Sequence, residues 1–399
     1  MKILFITTHN LATNPRLYKE VILAIEKGFE VEMICFEFNN WSKLSNEKLL
    51  SKLKDVKIIV IPSGRNPLLP WFWSIFTEKF FRLLSTILLL SAPKLSQAVS
   101  RRSNLLINSL KKVSKPDLVI GHNPGALWPA IRASHIFKCR VGFDVEDYHP
   151  GEGNNKNLQN NTKRLMVKLL PELDYISFAA PLILEQVKED LKYENKDWFT
   201  ILNLFPAHEF MVPTKQNHNK IRLVWFSQNI NKDRGLELIL PFIKKENATV
   251  ELHLIGNLNQ DFFKDHLADN ANIIIHAPME QKELHHALSN FDIGLALDIP
   301  VDLNRELAIT NKLIAYLQAG LYVFASDTTA QLSFLKDHQD HGICFDHKIN
   351  NSDIVLNDLI KNIDKIRSNR ERRYNNFINS NWETASDKLV SVWNNNLGD

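Results

Sequence analysis

The chain is short of every residue type that would take it away from an ordinary folded protein. Its 399 residues include three cysteines, 13 glycines and 16 prolines, too little glycine and proline for a collagenous or mainly disordered polymer. Cys35, Cys139 and Cys344 stand far apart, with neither zinc-site spacing nor the pattern of a disulfide framework. They read as buried free thiols, which suits a reducing cytoplasm. No stretch of about twenty uncharged residues is available to cross a bilayer. Neither an internal repeat nor a low-complexity tract stands out. Met1–His9 is apolar but short and lacks a small-residue cleavage site, so it reads as a first strand and not as an export signal. A periplasmic two-domain binding protein, which needs such a signal, is therefore not expected.

What is present follows globular norms: 44% apolar and 23% charged residues. The length exceeds what one core usually organises, so two domains and one cleft between them are expected. Apolar strand-like runs alternate with helix-period segments, the mark of parallel α/β architecture. The first series comprises Ile3–Thr7, Glu30–Phe36, Val56–Ile61, Leu118–Gly121, Val141–Asp144 and Tyr175–Ala179, with a helix from about Pro15 to Lys27. A polar segment, Pro213–Asn219, has the composition of a linker. The second series is Leu223–Phe226, Glu251–Ile255, Ile273–His276, Ile293–Leu297, Tyr322–Ala325 and Gly342–Phe345. Two tandem doubly wound sheets account for most of the chain, and such sheets bind ligands beyond the carboxyl ends of their strands.

Charge is uneven. Residues 1–200 carry 28 Lys and Arg against 20 Asp and Glu, and the remainder 20 against 25. A basic first half fits an anionic surface. Within it, residues 68–92 break the α/β rhythm: Leu68-Leu69-Pro70-Trp71-Phe72-Trp73 runs on through Phe80-Phe81 to Ile87-Leu88-Leu89-Leu90, interrupted by Glu78, Lys79 and Arg82. Tryptophans beside basic residues on an apolar helix suit an interfacial anchor on an anionic membrane. The other reading is a buried helix or a dimer contact.

Two stretches in the second half carry phosphate chemistry. Thr310-Asn311-Lys312 opens a helix that stops at Gly320; its first turn combines free amides, the positive dipole end and an ammonium, a site for a diphosphate. Arg234-Gly235 follows a strand and a polar loop, and an arginine there can hold a phosphate through two nitrogens. Such a charged contact is worth about 1.5–3 kcal/mol. His285 and His286 are adjacent on a helix and point different ways, so both read as structural.

The order of motifs resembles a known family. Pro15-Arg16, Pro116-Asp117-Leu118 to His122, Phe143-Asp144-Val145-Glu146-Asp147, Asp174 and Asn203 come first. Arg234-Gly235, Ile255-Gly256, Glu283-Leu284 with Phe291-Asp292-Ile293-Gly294, Asn311-Lys312 with Ala319-Gly320, and Trp382-Glu383 follow. Over nearly its whole length the chain resembles the retaining glycosyltransferases of family four. The resemblance implies a GT-B fold: two Rossmann-like domains facing a cleft, with the C-terminal helix crossing back to the first. It implies an acceptor-side domain over 1–205, a nucleotide-sugar-binding domain over 206–380, and the returning helix in 381–399, around Trp382–Asn396. By position, Arg234, Thr310, Asn311 and Lys312 would hold the donor diphosphate, and His122 would touch the donor sugar as the catalytic residue. Arg16, Asp144, Glu146 and Asp147 would lie on the acceptor side. A nucleotide-sugar donor, a glycan or lipid-linked acceptor of bacterial surface polysaccharide synthesis, a cytoplasmic or peripheral membrane location, and no metal, other cofactor or nucleic acid complete the expectation.

The pattern also departs from the family. Two glutamates separated by seven residues are common there, the second binding the ribose; Leu307 and Ala315 stand at those places, with Glu306 one residue before Leu307 as a substitute ribose ligand. A glycine-arginine pair is replaced by Ser227-Gln228, and the loop His9–Asn14 lacks glycine. Two further readings follow: a catalytically silent GT-B scaffold that binds a partner or glycan, and a sugar-nucleotide epimerase.

Overall fold

The computed structural model describes residues 1–65, 68–195, 197–214, 218–246 and 248–395. Two compact units divide the chain: Met1–Ile201 with the residues from Ser386 onward, and Leu202–Ala385.

The first unit holds a seven-stranded parallel sheet: β1 Lys2–Thr7, β2 Glu30–Glu37, β3 Lys57–Pro62, β4 Leu118–His122, β5 Arg140–Val145, β6 Tyr175–Phe178 and β7 Trp198–Thr200. The order is β3-β2-β1-β4-β5-β6-β7. β1 and β4 are buried along their whole length, as central strands covered on both faces must be, so they read as unbroken apolar runs. The helix Pro15–Glu26 starts where Asn14 accepts the Leu17 amide at 2.9 Å, with proline in the first turn. The short edge strand β7 is the one the sequence reading missed; three residues are too few to show a period.

The second unit repeats the plan with six strands: β8 Ile221–Ile230, β9 Val250–Leu258, β10 Ile273–His276, β11 Ile293–Ala296, β12 Tyr322–Ser326 and β13 Gly342–Phe345. The order is β10-β9-β8-β11-β12-β13, reversing direction of growth between β8 and β11 as a doubly wound sheet does. All twelve expected strands form. β8 runs further than expected: Ser227–Ile230, read as loop, stays paired to β9 past a register shift between Phe226 and Asn229. Gly256 makes this possible, because a Cβ there would lie 2.1 Å from the Ser227 carbonyl oxygen.

The last helix, Trp382–Asn395, begins in the second unit, where the Trp382 amide donates to the Phe205 carbonyl at 3.1 Å. From Ser386 it belongs to the first. There the fully buried Trp393 packs edge-on against Phe5 and Phe29 and donates to the Tyr175 hydroxyl at 2.9 Å. Asn396 lies outside the described residues, as do 215–217 of the expected linker.

A helix forms over Leu68–Leu84, the first part of the apolar segment 68–92, and its environment excludes the buried-helix reading. Ser74 is its one buried residue, so it is not a core helix of this chain. Leu69, Phe72, Trp73, Phe76, Phe80 and Leu83 face solvent. No described helix is long and apolar enough to cross a membrane. All three cysteines are free; Cys35 is buried, whereas Cys139 and Cys344 are half-buried.

Candidate functional site

In the second unit, the segments that follow the carboxyl ends of β8 and β11 carry the residues predicted for a diphosphate. Thr310 caps the helix Asn311–Gln318, its hydroxyl accepting the Leu313 amide at 3.3 Å. The amides of Asn311 and Lys312 come before the first intrahelical bond, which leaves them as donors at the positive end of the helix. The Asn311 side chain is exposed and accepts from Asn203 at 2.9 Å. Lys312 turns inward: its ammonium lies 3.6 Å from Asp298 and 6.0 Å from the Trp225 ring. Asp298 has one buried oxygen without a hydrogen-bond partner among the described residues, so Lys312 balances a carboxylate the sequence reading had not assigned. Arg234 is exposed and makes no ion pair among the described residues. It precedes Gly235, whose φ of +83° and close approach to Leu297, 2.9 Å for an added Cβ, both demand glycine. Arg234 is therefore an open cation at this edge.

Glu306 lies on the short helix Leu303–Leu307, but its carboxylate accepts from the Thr329 amide at 2.9 Å and hydroxyl at 2.8 Å. That places it as a second cap on the helix Thr329–Lys336. The family's two glutamate positions are filled by buried apolar side chains, Leu307 and Ala315. Ala315 sits inside a core cluster with Leu313, Tyr316 and Leu317, where a charged group would lack water.

In the first unit, the carboxyl ends of β4 and β5 gather a different set. Arg16 donates from Nε to both Asp144 oxygens at 2.8 Å and from Nη1 to the Ile201 carbonyl at 2.7 Å. Ser177 donates to Asp144 at 2.6 Å. His122 Nε2 lies 3.2 Å from Glu20 and Nδ1 lies 3.8 Å from Asp144. Arg16, Glu20, His122, Asp144 and Ser177 are all buried, His122 and Glu20 completely. Burial alone would deprotonate His122, but Glu20, Asp144 and Glu146 outweigh it and raise its pKa. Ligand-type atoms of Glu20, His122 and Asp144 fall within 4.8 Å of one another. The Arg16 guanidinium pairs with Asp144 and lies 3.8 Å from Glu20, while both Glu20 oxygens, both His122 nitrogens and Arg16 Nη2 are buried without a hydrogen-bond partner among the described residues. Glu20 is the member that sequence reading overlooked, although it stands four residues after Arg16 on the same helix face.

Glu146 and Asp147, next along the chain, are half-buried. Burial, then Asp147 and Asp144, push the Glu146 carboxyl up to about 8, against the opposing charges of His122 and Arg16. One of its oxygens is buried without a partner among the described residues. His9, on the loop after β1, is held down to about 4 by burial, then by Arg102 and His149.

Comparison with solved structures settles the fold. This is the GT-B fold. Sucrose-phosphate synthase from Thermosynechococcus elongatus superposes with a TM-score of 0.68 at 11% identity, over 99% of this chain and 98% of that one. HepE from Anabaena, solved with UDP, gives 0.65 at 12% identity over 98% and 97%. A variant of TarM from S. aureus, solved with fondaparinux, a GlcNAc-glycerol and UDP, gives 0.66 at 10% identity over 100% of both chains. No family model and no curated protein matches the sequence.

Two predicted groups thus come together in space. Thr310, Asn311 and Lys312 share one helix start. Arg16, Asp144 and His122 share one buried cluster. His285, read as structural, is buried against Phe205 and Phe210 and bonds Glu209 at 2.7 Å. Glu306 and Thr310 both bond the first turn of the helix Thr329–Lys336, Glu306 through Thr329 and Thr310 through Gln331 at 3.3 Å.

Proposed function

We propose that this chain is a glycosyltransferase that moves a sugar from a nucleotide-sugar donor to a glycan or lipid-linked acceptor with retention. The observation that carries this is the carboxyl edge of β8 and β11 in a GT-B fold. There an open arginine, Arg234, and a capped helix start at Thr310 offer a cation and free amides to a diphosphate. The acceptor hydroxyl forms the new bond to the anomeric carbon on the face from which the nucleoside diphosphate departs. The bond from that carbon to the phosphate oxygen breaks, and the departing oxygen takes the acceptor's proton. No protein nucleophile is required; positioning and stabilisation of charge on the leaving diphosphate supply the rate. Lys312 contributes once the diphosphate competes with Asp298 for its ammonium. The proposed reaction calls for no metal or other cofactor.

On this reading His122 acts through the charge cluster that shapes the acceptor-side edge, with Glu146 and Asp147 as the groups that meet acceptor hydroxyls. The exposed helix Leu68–Leu84 lies along the surface of an anionic membrane, which suits a lipid-linked acceptor in bacterial surface polysaccharide synthesis at the cytoplasmic face. A catalytically silent scaffold is the second reading, favoured by the apolar Leu307 and Ala315 where ribose-binding carboxylates are expected. The test is binding and slow hydrolysis of UDP-, GDP- and ADP-linked sugars by the native chain, Arg234→Ala and Lys312→Ala. The transferase reading expects turnover of one donor and an affinity loss of roughly tenfold to a hundredfold in Arg234→Ala, one charged hydrogen bond's worth. Absence of binding to every donor by the folded chain selects the scaffold.

A further inference from the structure

The exposed helix Leu68–Leu84 ends beside an open depression of about 640 Å³. Ser85 and Thr86 line it from one side, and Asn157, Asn160, Lys163 and Arg164 from the helix Lys156–Leu169 on the other. The two sides are tied together: Asn157 donates to the Arg82 carbonyl at 3.3 Å, Asn161 to the Ser85 hydroxyl at 2.8 Å, and Arg164 to the Ser85 carbonyl at 3.1 Å. Spacings of four and three residues put these side chains on one helix face, so the wall is built from a rigid element. Arg164 spends its bonds on the neutral carbonyls of Ser85 and Leu88 and has no carboxylate partner among the described residues. Its charge remains available, whereas that of Lys163 is shared with Asp190 at 2.6 Å.

Apart from Asp190 on Lys163 and Glu78 on Arg82, the segments that line the depression are basic. Lys156–Leu169 contains four Lys and Arg and no acid, and residues 56–116 contain ten against the single Glu78. Directly after Thr86, the side chains of Ile87, Leu88 and Leu89 are 78%, 52% and 93% exposed. Apolar side chains standing in water at the edge of a basic depression match the layering of a membrane surface, acyl chains below and phosphates above.

We propose that this depression binds the phosphate of an anionic membrane phospholipid. Arg164 and Lys163 supply the charge, Asn157, Asn160 and Thr86 the neutral hydrogen bonds, while Ile87, Leu88, Leu89 and the outer face of Leu68–Leu84 enter the acyl boundary. The inference rests on the reading of that helix as lying on a membrane, and adds a fixed point to it. An apolar face alone lets a helix slide and roll in the interface; a phosphate held at one end sets its depth and direction.

The test is sedimentation of the full chain with neutral phosphatidylcholine vesicles and with vesicles containing phosphatidylglycerol. Arg164→Gln, Lys163→Gln and the charge-neutral Asn160→Ala are compared with Lys94→Gln and Lys111→Gln, basic residues outside the depression. Asn160 and Lys163 are exposed, so those two variants keep the fold even if Arg164→Gln loosens the turn it supports. A diffuse surface charge is worth about fivefold in vesicle affinity. The site expects Arg164→Gln and Lys163→Gln to exceed that by severalfold on anionic vesicles, with a loss in Asn160→Ala as well. Equal losses in depression and control variants, with Asn160→Ala unchanged, overturn the site. So does Arg164-dependent binding of inorganic phosphate by a chain that ignores vesicles. If replacing Trp71, Phe72 and Trp73 by polar residues releases the protein while the depression variants stay bound, the membrane reading stands and the phosphate site falls.

Discussion

At the carboxyl ends of β4 and β5, Arg16 is buried and locked to Asp144 by two 2.8 Å bonds, whereas beyond β8, Arg234 lies in solvent and makes no ion pair among the described residues. From the sequence, Arg234 was read as a cation at the mouth of a parallel sheet and Arg16, by resemblance, as an acceptor-side residue. The difference in burial separates their roles. A cation taken out of water persists only where fixed partners balance it, and the cluster of Arg16, Glu20, His122, Asp144 and Ser177 is then part of the fold. A cation left in water keeps its charge for a ligand, at little cost or gain to the folded state.

Breaking the buried member should have the largest effect. Arg16→Met leaves Asp144 and Glu20 buried with His122 as their remaining cationic partner, and a loss of about 3–5 kcal/mol is expected, read as a lowered denaturation midpoint of the first unit. A change within experimental error would show that water reaches the cluster. Glu306→Ala comes next. Losing a helix cap costs about 1 kcal/mol, with nucleotide affinity unchanged, because the carboxylate is occupied by Thr329. A hundredfold fall in affinity with unaltered stability would restore Glu306 as a ribose ligand.

Glu146 sharpens the contrast through pH. Its folded pKa of about 8 lies above the ordinary 4.5, so between those values the folded state binds more protons than the unfolded one. Stability from this group is therefore present at low pH and lost as pH rises through about 8. Glu146→Gln should match the native chain near pH 5 and exceed its melting temperature at pH 9; parallel curves for the two proteins would refute the shift. Arg234→Ala closes the series with the smallest stability effect, within about 0.5 kcal/mol, while it carries the donor-affinity loss described above. A destabilised Arg234→Ala would mean that its guanidinium is structural after all.

How much could be read in advance follows from the range over which each signal acts. The twelve strands and the capped helices at Pro15 and Thr310 were legible because apolar runs and Asn or Thr caps are local patterns. β7 was not, being three residues long at a sheet edge. The extension of β8 was hidden because its bulge depends on Gly256 of the neighbouring strand. Lys312 was legible as a basic residue at a helix start, but its partner Asp298 arrives from the end of β11. Glu306 was chosen for its place near the family's glutamate, and a contact with Thr329, 23 residues away, gives it another task.

The sequence by itself determined the α/β alternation, the two sheets and the segment 68–92 as an apolar stretch among positive charges, since these depend on the period and composition of neighbouring residues. Tertiary structure alone decided that His122 is sealed among Arg16, Glu20 and Asp144, that Arg234 is open, and that Leu68–Leu84 keeps its apolar face in solvent. Burial is set by what packs against a side chain, and those neighbours come from strands and helices distant in the chain.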